Sequence, residues 1–154
     1  VVLRGFDSEK MEISFHSDLR SQKINQLNKN KNACLVFYDE KKKIQLRIKG
    51  ETYIKKSFSE AWNKLTNWSK RCYLTVNPPG QESEKPSSGF PEEFSLDAPS
   101  LEETKDGFKN FGQIRVSISE IEWLFLASQG HRRALFEVKK NGSKFSIEGK
   151  WLIP

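Results

Sequence analysis

The stretch Phe15-His16-Ser17-Asp18-Leu19-Arg20-Ser21-Gln22-Lys23 decides how this chain folds. Before it, apolar residues alternate from Met11 to Phe15, which predicts a strand. After it, Ile24 and Leu27 stand three apart, which predicts one face of a helix ending near Asn30. The chain therefore changes from a strand to a helix within these nine residues.

The same stretch combines the residue types that hold a phosphate group. Ser17 and Asp18 are types that cap helices, and Arg20, Ser21 and Lys23 follow them. Free N–H groups, the helix dipole and cations all favour an anion at such a helix start. The alternative is an ordinary strand-to-helix turn with a solvated basic face, and these residues alone leave both interpretations open.

Composition indicates one folded domain over residues 1–154. The hydrophobic share is 36% and the aromatic share 12%, with eleven Phe and four Trp, which supports a core despite 30% charged residues. No apolar run approaches the length of a membrane span, so we expect no membrane partner. Because the first residue is Val and Val1 to Arg4 already reads as a strand, we expect an amino-terminal part, including a strand, to be missing here.

The charge and the cysteines constrain partners and compartment. The net charge of +6 favours anionic partners. Cys34 and Cys72 lie within apolar patterns, so we predict two buried thiols in a reducing, cytoplasmic compartment. His16 and His131 are too isolated to predict a zinc site.

The first half of the chain predicts strands and a helix. Alternation is clearest after the turn 39–43: Ile44, Leu46 and Ile48 share one parity, while the other parity carries Gln45 and Arg47. Gly50 interrupts this strand and predicts a bulge or a bend. The other predicted strands are 1–6 and 11–16, joined by a turn at 7–10, and a buried strand at 33–38.

The middle of the chain predicts a helix followed by a long loop. Ser57 and Glu60 form a capping-box pattern that opens a helix to about Leu74, with its Trp residues in the core. Residues 77–99 contain five of the six prolines, which predicts a long loop, either a functional lid or disordered. Ser100 and Glu103 form a second capping box before a short helix.

The last third returns to strands. We predict strands over 111–118, 121–126, 134–138 and 144–152, with a hairpin turn at Asn141-Gly142. The whole describes an α+β fold: a small antiparallel barrel of about six to eight strands with two or three inserted helices.

Common catalytic motifs are absent. The chain contains no GxSxG, no metal-spaced His pair, no Cys–His pattern and no Rossmann or Walker glycine pattern. Three polar clusters remain. Each cluster alone is typical of an ordinary surface. Together the three suggest an anion bound at strand ends and a helix start. They are Arg4 with Arg20, Ser21 and Lys23, then Gln45 with Arg47, then Arg132 with Arg133.

An ordered set of segments resembles the pyridoxamine 5′-phosphate oxidase family, the FMN-binding split barrels. The resemblance is closest to the cyanobacterial and plant branch, whose Asp-x-Arg-Ser-x-Lys turn matches residues 18–23. It touches most of the chain except the proline-rich loop. The matching segments are Val1 to Phe6, Phe15 to Ser17, Ser21 to Lys23, Leu35 to Tyr38, Gln45 to Gly50, Phe111-Gly112, Arg115 to Ser117, Ile121 to Trp123 and Trp151 to Pro154.

The resemblance implies an FMN in a cleft between two barrels of a homodimer. It places Val1, Val2, Leu3 and Arg4 along the flavin and Gln45 in a hydrogen bond to the flavin ring. Around the phosphate it places His16, Ser17, Ser21 and Lys23, with Arg20 supplying the charge of the arginine that Gln22 replaces.

The substrate side departs from the family pattern. The family's Arg-Leu-His-Asp-Arg motif is replaced by His131-Arg132-Arg133-Ala134-Leu135. Residues 62–73 do not reproduce the Tyr, Arg and Ser that grip the substrate phosphate in the family, although Ser69 and Arg71 are candidates. The resemblance thus implies that Arg4, Arg71, Arg132 and Arg133 hold an anionic substrate, and it names no catalytic acid or base.

The predicted function is an FMN-dependent oxidoreductase of the pyridoxamine 5′-phosphate oxidase type acting on a small phosphorylated substrate. A flavin-binding carrier or sensor without turnover is a second possibility, favoured by the missing His-Asp. A basic barrel that binds nucleic acid is a third, opposed by the core parity of the aromatic residues.

Overall fold

The computed structural model describes residues 1–154 as seven strands, three short α-helices and three 3₁₀ turns. The strands are β1 (Leu3–Asp7), β2 (Glu12–Asp18), β3 (Asn32–Asp39), β4 (Ile44–Lys56), β5 (Phe111–Phe125), β6 (Arg132–Asn141) and β7 (Lys144–Leu152). The α-helices are α1 (Gln22–Lys29), α2 (Ser59–Asn63) and α3 (Asn67–Lys70), and the 3₁₀ turns are Arg71–Tyr73, Glu92–Phe94 and Glu103–Asn110. No helix is long and apolar enough to cross a membrane.

The strands form one seven-stranded sheet. Its order is β1-β2-β5-β4-β3, and β6 pairs with both β5 and β7. The pairs β3–β4, β5–β6 and β6–β7 are antiparallel. The predicted fold class, an α+β protein built on an antiparallel sheet with inserted helices, is confirmed.

Contacts divide the chain into two compact units. The first contains residues 1–4, 14–30 and 54–115, and the second contains residues 5–13, 31–53 and 116–154. The first unit holds the helices and the long loop, whereas the second consists almost entirely of strands and turns.

An aromatic cluster forms the core of the first unit. Trp62, Tyr73 and Phe111 are buried, and their ring centroids are 5.2–5.6 Å apart. The angled ring packing that they adopt is the favourable arrangement for aromatic side chains. The prediction that the Trp residues of this segment lie in the core is confirmed for Trp62 but wrong for Trp68, which is 49% exposed.

The predicted helix over residues 57–74 is broken into three pieces. Ser57 is not its cap: its hydroxyl donates to the carbonyl of Phe108 (3.2 Å), and Phe58 precedes α2 without a side-chain cap. Thr66 instead caps α3, where its Oγ1 accepts from the N–H of Ser69 (3.2 Å). The second predicted capping box is confirmed, since Ser100 and Glu103 exchange backbone-to-side-chain bonds of 2.7 and 3.3 Å, although a 3₁₀ turn follows.

The alternation in β4 is confirmed. Ile48, Gly50 and Thr52 are buried, whereas Arg47 and Lys49 are exposed. The predicted bulge at Gly50 is absent from the pairing with β3, whose register runs without interruption from Asp39↔Ile44 to Asn32↔Glu51. A Cβ atom there would lie 2.1 Å from the carbonyl oxygen of Ser117 on β5, so glycine permits a close approach of two backbones.

Two burial predictions are wrong. Cys34 and Cys72 are free but exposed, and β3 buries only alternate residues, leaving Val36 and Tyr38 more than half exposed. The side chains of β3 therefore form one half-buried face and one exposed face. Cys72 lies between the buried Arg71 and Tyr73, where a tight 3₁₀ turn points neighbouring side chains in different directions.

Two predicted elements of the last third change in detail. Residues 111–118 and 121–126 form the single strand β5, in which Glu120 pairs opposite Glu137 of β6. The hairpin prediction is confirmed, with Asn141 paired to Lys144 so that the loop is Gly142-Ser143. Gly142 has φ +63°, a left-handed conformation that favours glycine.

Replacing Gly50 by alanine is predicted to destabilise the protein severely. The new Cβ would meet backbone rather than a side chain that can move away, so we expect a loss of about 3 kcal/mol in the free energy of unfolding. Urea denaturation measures it. Lys56→Ala, an exposed position on the same strand, is the control and should unfold like the unchanged protein.

Candidate functional site

The turn between β2 and α1 brings two serine hydroxyls together. Ser17 and Ser21 are each 9% exposed, and their Oγ atoms are 3.1 Å apart. The Ser17 hydroxyl also donates to the carbonyl oxygen of Asp18 (3.4 Å). We call Ser17, Ser21, Gln22 and Lys23 the phosphate seat, because each contributes donors and none contributes a carboxylate.

The helix start beside these hydroxyls is uncapped. Ser21 is the N-cap residue of α1, yet no side chain caps the helix and no acidic residue occupies its first turn. The N–H groups of Ser21 and Ile24 donate to backbone carbonyls, whereas those of Gln22 and Lys23 have no such acceptor. Lys23 forms no ion pair. A helix start with free N–H groups, positive partial charge and an unpaired cation is suited to a phosphate.

The neighbouring elements hold this turn in place. The N–H of Leu19 donates to the carbonyl of Asn110 (2.7 Å), and the side-chain amide of Asn110 donates to the carbonyl of Tyr73 (2.9 Å). A Cβ atom at Gly112 would lie 2.6 Å from Leu19 Cδ2, so glycine at this position lets the turn pack on the start of β5. The turn is therefore fixed from the side of the aromatic core.

Arg20 does not point a free charge at the phosphate seat. Four of the five N–H donors of a guanidinium are used by Asp18 and Thr75, at 2.7–3.0 Å. The bonds to Asp18 raise the pKa of Arg20. The predicted phosphate contact of Arg20 remains a prediction, and what the structure shows is a guanidinium that joins the turn to the start of the proline-rich loop.

A pocket of about 320 Å³ opens beside His16 in the same unit. Its cations outnumber its carboxylates by three to one, and Arg4 and Lys64 among them form no ion pair. The lining residues are Arg4, His16, Phe58, Glu60, Ala61, Lys64, Leu65, Gln113 and Arg115. We call this the basic pocket. The other predicted flavin neighbours are Val1, Val2 and Leu3, which are exposed and directly precede Arg4 in the chain.

His16 is held neutral at the wall of the basic pocket. Burial, and then the positive charge of Arg4, lower its pKa from 6.5 to about 4. Its ring packs edge-on against Phe111, with centroids 4.9 Å apart, and its Nδ1 is buried without a hydrogen-bond partner. The imidazole of His16 is therefore uncharged at neutral pH, and one of its ring nitrogens makes no hydrogen bond within the chain.

Arg71, predicted to hold substrate, has other partners. Its guanidinium lies 3.7 Å from the ring centroid of Trp68 and 4.2 Å from that of Phe90, and it donates to the carbonyls of Phe94 (2.6 Å) and Ser95 (3.2 Å). This arrangement fastens the distal part of the proline-rich loop. We therefore omit Arg71 from the proposed substrate contacts. Ser69, the other candidate, is partly buried and bonded to Thr66.

The remaining predicted residues lie in the second unit. Gln45 is partly buried and paired opposite Tyr38. Arg133 is ion-paired with the buried Glu122 (2.8 Å), which also attracts Arg47 (3.5 Å), and the hydrogen bond from Arg133 lowers the pKa of Glu122. Arg132 at the start of β6 is exposed and forms no ion pair. Arg132 thus keeps a free charge, whereas Arg133 does not.

Sequence reasoning missed three lining residues of the basic pocket: Lys64, Gln113 and Arg115. Gln113 and Arg115 share one parity of β5, and Arg115 Nε donates to Gln113 Oε1 (3.0 Å), so the polar parity of that strand was the available signal. No sequence pattern indicated that Lys64 would line a pocket, because it lies where the helix that was predicted as continuous ends in the structure. No group of three His, Cys, Asp or Glu side chains is placed to hold a metal ion.

The neutral His16 predicts a pH-dependent stability. Because burial lowers its pKa from 6.5 to about 4 on folding, the unfolded chain binds more protons than the folded chain between these two values. The free energy of unfolding should therefore fall as the pH is lowered from 6.5 towards 4. Urea denaturation of His16→Gln should show a shallower fall. His131→Gln, which changes an exposed histidine, should keep the original slope, and an unchanged slope for His16→Gln would refute the assignment.

Comparisons with known proteins connect these features to one family. Residues 1–56 match the family model for pyridoxamine 5′-phosphate oxidase, FMN-binding domain. This segment contains β1, β2, α1 and the phosphate seat. No curated protein matches the chain.

Two solved structures have a similar fold. One is a pyridoxamine 5′-phosphate oxidase-related, FMN binding protein from Nostoc punctiforme PCC 73102, with a TM-score of 0.74 and 21% identity over 99% of this chain and 78% of that chain. The other is PhzG from Burkholderia lata 383, solved in complex with tetrahydrophenazine-1-carboxylic acid, with a TM-score of 0.65 and 15% identity over 99% of this chain and 72% of that chain. These findings confirm the resemblance and the predicted cofactor at the level of the domain: residues 1–56 match the FMN-binding domain of the pyridoxamine 5′-phosphate oxidase family, and the chain has the fold of an FMN-binding protein related to that oxidase.

Proposed function

We propose that this protein binds FMN and acts as an FMN-dependent oxidoreductase on a small anionic substrate. The observation that carries the proposal is the phosphate seat. Two buried serine hydroxyls meet 3.1 Å apart at an uncapped helix start, within the residues that match an FMN-binding domain.

The chemistry of the donor set fits a phosphate monoester. The phosphate seat offers the hydroxyls of Ser17 and Ser21, the free N–H groups of Gln22 and Lys23, and the Lys23 ammonium. The one carboxylate close by, that of Asp18, is neutralised by Arg20 at 2.7 Å. A dianion therefore meets donors and a cation without an uncompensated negative charge.

The flavin ring would require contacts outside the phosphate seat. Gln45 is proposed for a hydrogen bond to the ring, since its side-chain amide forms no hydrogen bond within the chain. The strand segment from Val1 to Arg4 supplies exposed apolar surface together with one unpaired cation. A bound FMN would supply the redox chemistry, acceptance of a hydride from the substrate, while the residues of the chain would bind and orient it.

The basic pocket is the proposed seat for the anionic end of the substrate. Arg4 and Lys64 attract the anion there, since both line the pocket and form no ion pair. Arg132, in the second unit, stays a separate proposed substrate contact with an exposed and unpaired charge. The neutral His16 forms part of the pocket wall without adding a positive charge at neutral pH. We assign no catalytic acid or base, because the one carboxylate that lines the pocket, that of Glu60, is exposed to solvent.

A flavin carrier without turnover is the second candidate. Arg133 is tied to Glu122, and the His-Asp motif that the oxidase family carries nearby is absent, so the substrate side is weaker than the cofactor side. Mixing the FMN-loaded protein with pyridoxamine 5′-phosphate without oxygen distinguishes the two. Bleaching of the visible absorption band of the oxidised flavin, reversed by air, supports the oxidase, whereas a stable band supports the carrier.

Removing the two seat hydroxyls is predicted to weaken FMN binding. The double variant Ser17→Ala, Ser21→Ala should raise the Kd for FMN roughly a hundredfold, since each of the two hydrogen bonds to a charged group contributes about 1.5 kcal/mol. Quenching of FMN fluorescence on titration measures it. The control, Ser119→Ala, removes a hydroxyl that bonds to the Lys49 carbonyl in the second unit. Equal Kd values for both variants would exclude the phosphate seat.

We also propose a homodimer. The second unit exposes large apolar side chains that a monomer gains nothing by leaving in water, among them Val36, Tyr38, Ile147 and Trp151. We expect sedimentation velocity to give a dimer of the 17.9 kDa chain at micromolar concentration. A purely monomeric species would contradict it.

A cytoplasmic location is proposed because the two cysteines are free. Nucleic acid is not proposed as a partner, because the aromatic cluster of the first unit is buried.

A further inference from the structure

Arg20 joins the phosphate seat to the proline-rich loop. It bonds Asp18 through Nε (3.0 Å) and Nη2 (2.7 Å), and it bonds Thr75 through both the backbone carbonyl (3.0 Å) and Oγ1 (2.8 Å). Asp18 also accepts the backbone N–H of Arg20 (2.8 Å), which closes the turn locally. We call Asp18, Arg20 and Thr75 the clamp.

The clamp holds the beginning of a loop that is fastened at two further points. The N–H of Val76 donates to the carbonyl of Gly89 (3.2 Å), so that one backbone hydrogen bond closes the loop of residues 76–89. Arg71 holds the carbonyls of Phe94 and Ser95. The interior of the loop, by contrast, is exposed and bonds mainly to itself, so the order of residues 76–89 depends on the closure at their ends.

The negative charge of Asp18 links the clamp to anion binding at the phosphate seat. The Asp18 side chain is 5% exposed and lies next in sequence to the seat hydroxyl of Ser17. If Thr75 leaves, Arg20 loses two of its four acceptors and is held less firmly against Asp18. An anion at the seat would then meet a carboxylate that is less well neutralised, so the anion binds better when the clamp is closed.

We propose that Arg20 and Thr75 are positioning residues that couple occupation of the phosphate seat to the order of the proline-rich loop. This inference rests on the proposed binding of FMN. Binding energies that depend on a shared state are reciprocal: if the closed clamp strengthens binding of the phosphate, the phosphate stabilises the closed clamp and the loop to the same extent. Their proposed role is to position Asp18 and the loop, through the bonds from Arg20 to Asp18 and Thr75.

The test measures binding and loop order in the same variants. Thr75→Val removes the Oγ1 acceptor and keeps the methyl group near Gly89, whereas Thr75→Ser keeps the acceptor. FMN titration gives the Kd. Digestion with a glutamate-specific protease, followed by mass spectrometry, gives the cleavage rate after Glu82 and Glu84 in the exposed loop. Cleavage after Glu40, in an exposed turn of the second unit, is the internal control.

The expected result has three parts. In the unchanged protein, saturating FMN slows cleavage after Glu82 and Glu84 roughly fivefold, and leaves cleavage after Glu40 unchanged. Thr75→Val binds FMN roughly fivefold more weakly and loses this protection, and Thr75→Ser restores both. Riboflavin, which lacks the phosphate, does not protect the loop.

Other results overturn the inference in distinguishable ways. If the unchanged protein binds FMN but the loop is cleaved at the same rate with and without it, the coupling is absent and the proposed function stands. The same holds if Thr75→Val behaves like the unchanged protein, or if riboflavin protects as well as FMN. If the unchanged protein does not bind FMN, the titration shows that the proposed function has failed, and the coupling fails with it.

Discussion

The ion pair between Asp18 and Arg20 is the interaction on which the arrangement of the phosphate seat depends. A carboxylate that is 5% exposed is costly unless its charge is compensated, and the planar guanidinium compensates it with two bonds in a fixed geometry. The backbone N–H of Arg20 on the same carboxylate fixes the turn. Together these bonds leave Ser17 and Ser21 facing each other at the start of α1.

The aromatic cluster supports this turn from the opposite side. Phe111 packs on Trp62, Tyr73 and His16, and the residues that flank it, Asn110 and Gly112, contact the turn directly. Because close-packed side chains allow little displacement, the turn and the wall of the basic pocket are held by one rigid group of rings. The polar site of the first unit is thus built on its apolar core.

The use of the cations divides the basic residues into two groups. Arg20, Arg71 and Arg133 interact with groups of the chain itself. Arg20 pairs with a carboxylate and stabilises the turn, Arg71 bonds to carbonyls and packs on rings in the loop, and Arg133 pairs with a carboxylate and stabilises β6. Arg4, Lys23, Lys64 and Arg132 form no ion pair and keep their charge for a ligand. A net charge of +6 therefore says less about a partner than the few cations that the fold leaves unpaired.

Local patterns in the sequence determined much of this protein. The strand-to-helix change at Phe15–Lys23, the alternation in β4, the second capping box and the Asn141-Gly142 hairpin all depend on neighbours along the chain, and each is present in the structure. The ordered motifs also indicated the family whose FMN-binding domain matches residues 1–56. The phosphate seat was visible for the same reason, since its donors lie within seven consecutive residues.

Only the tertiary structure decided which polar groups meet across long separations in the chain. Arg20 and Thr75 are 55 residues apart, Arg71 and Phe94 are 23 apart, and nothing in the local sequence distinguishes these arginines from free ones. The same holds for the exposed cysteines, whose apolar neighbours predicted burial, and for Gly50, which is required by a backbone on another strand. Periodicity reports which face of an element is apolar, whereas the partner of a charge, and the layer that covers a face, exist only after the elements have packed.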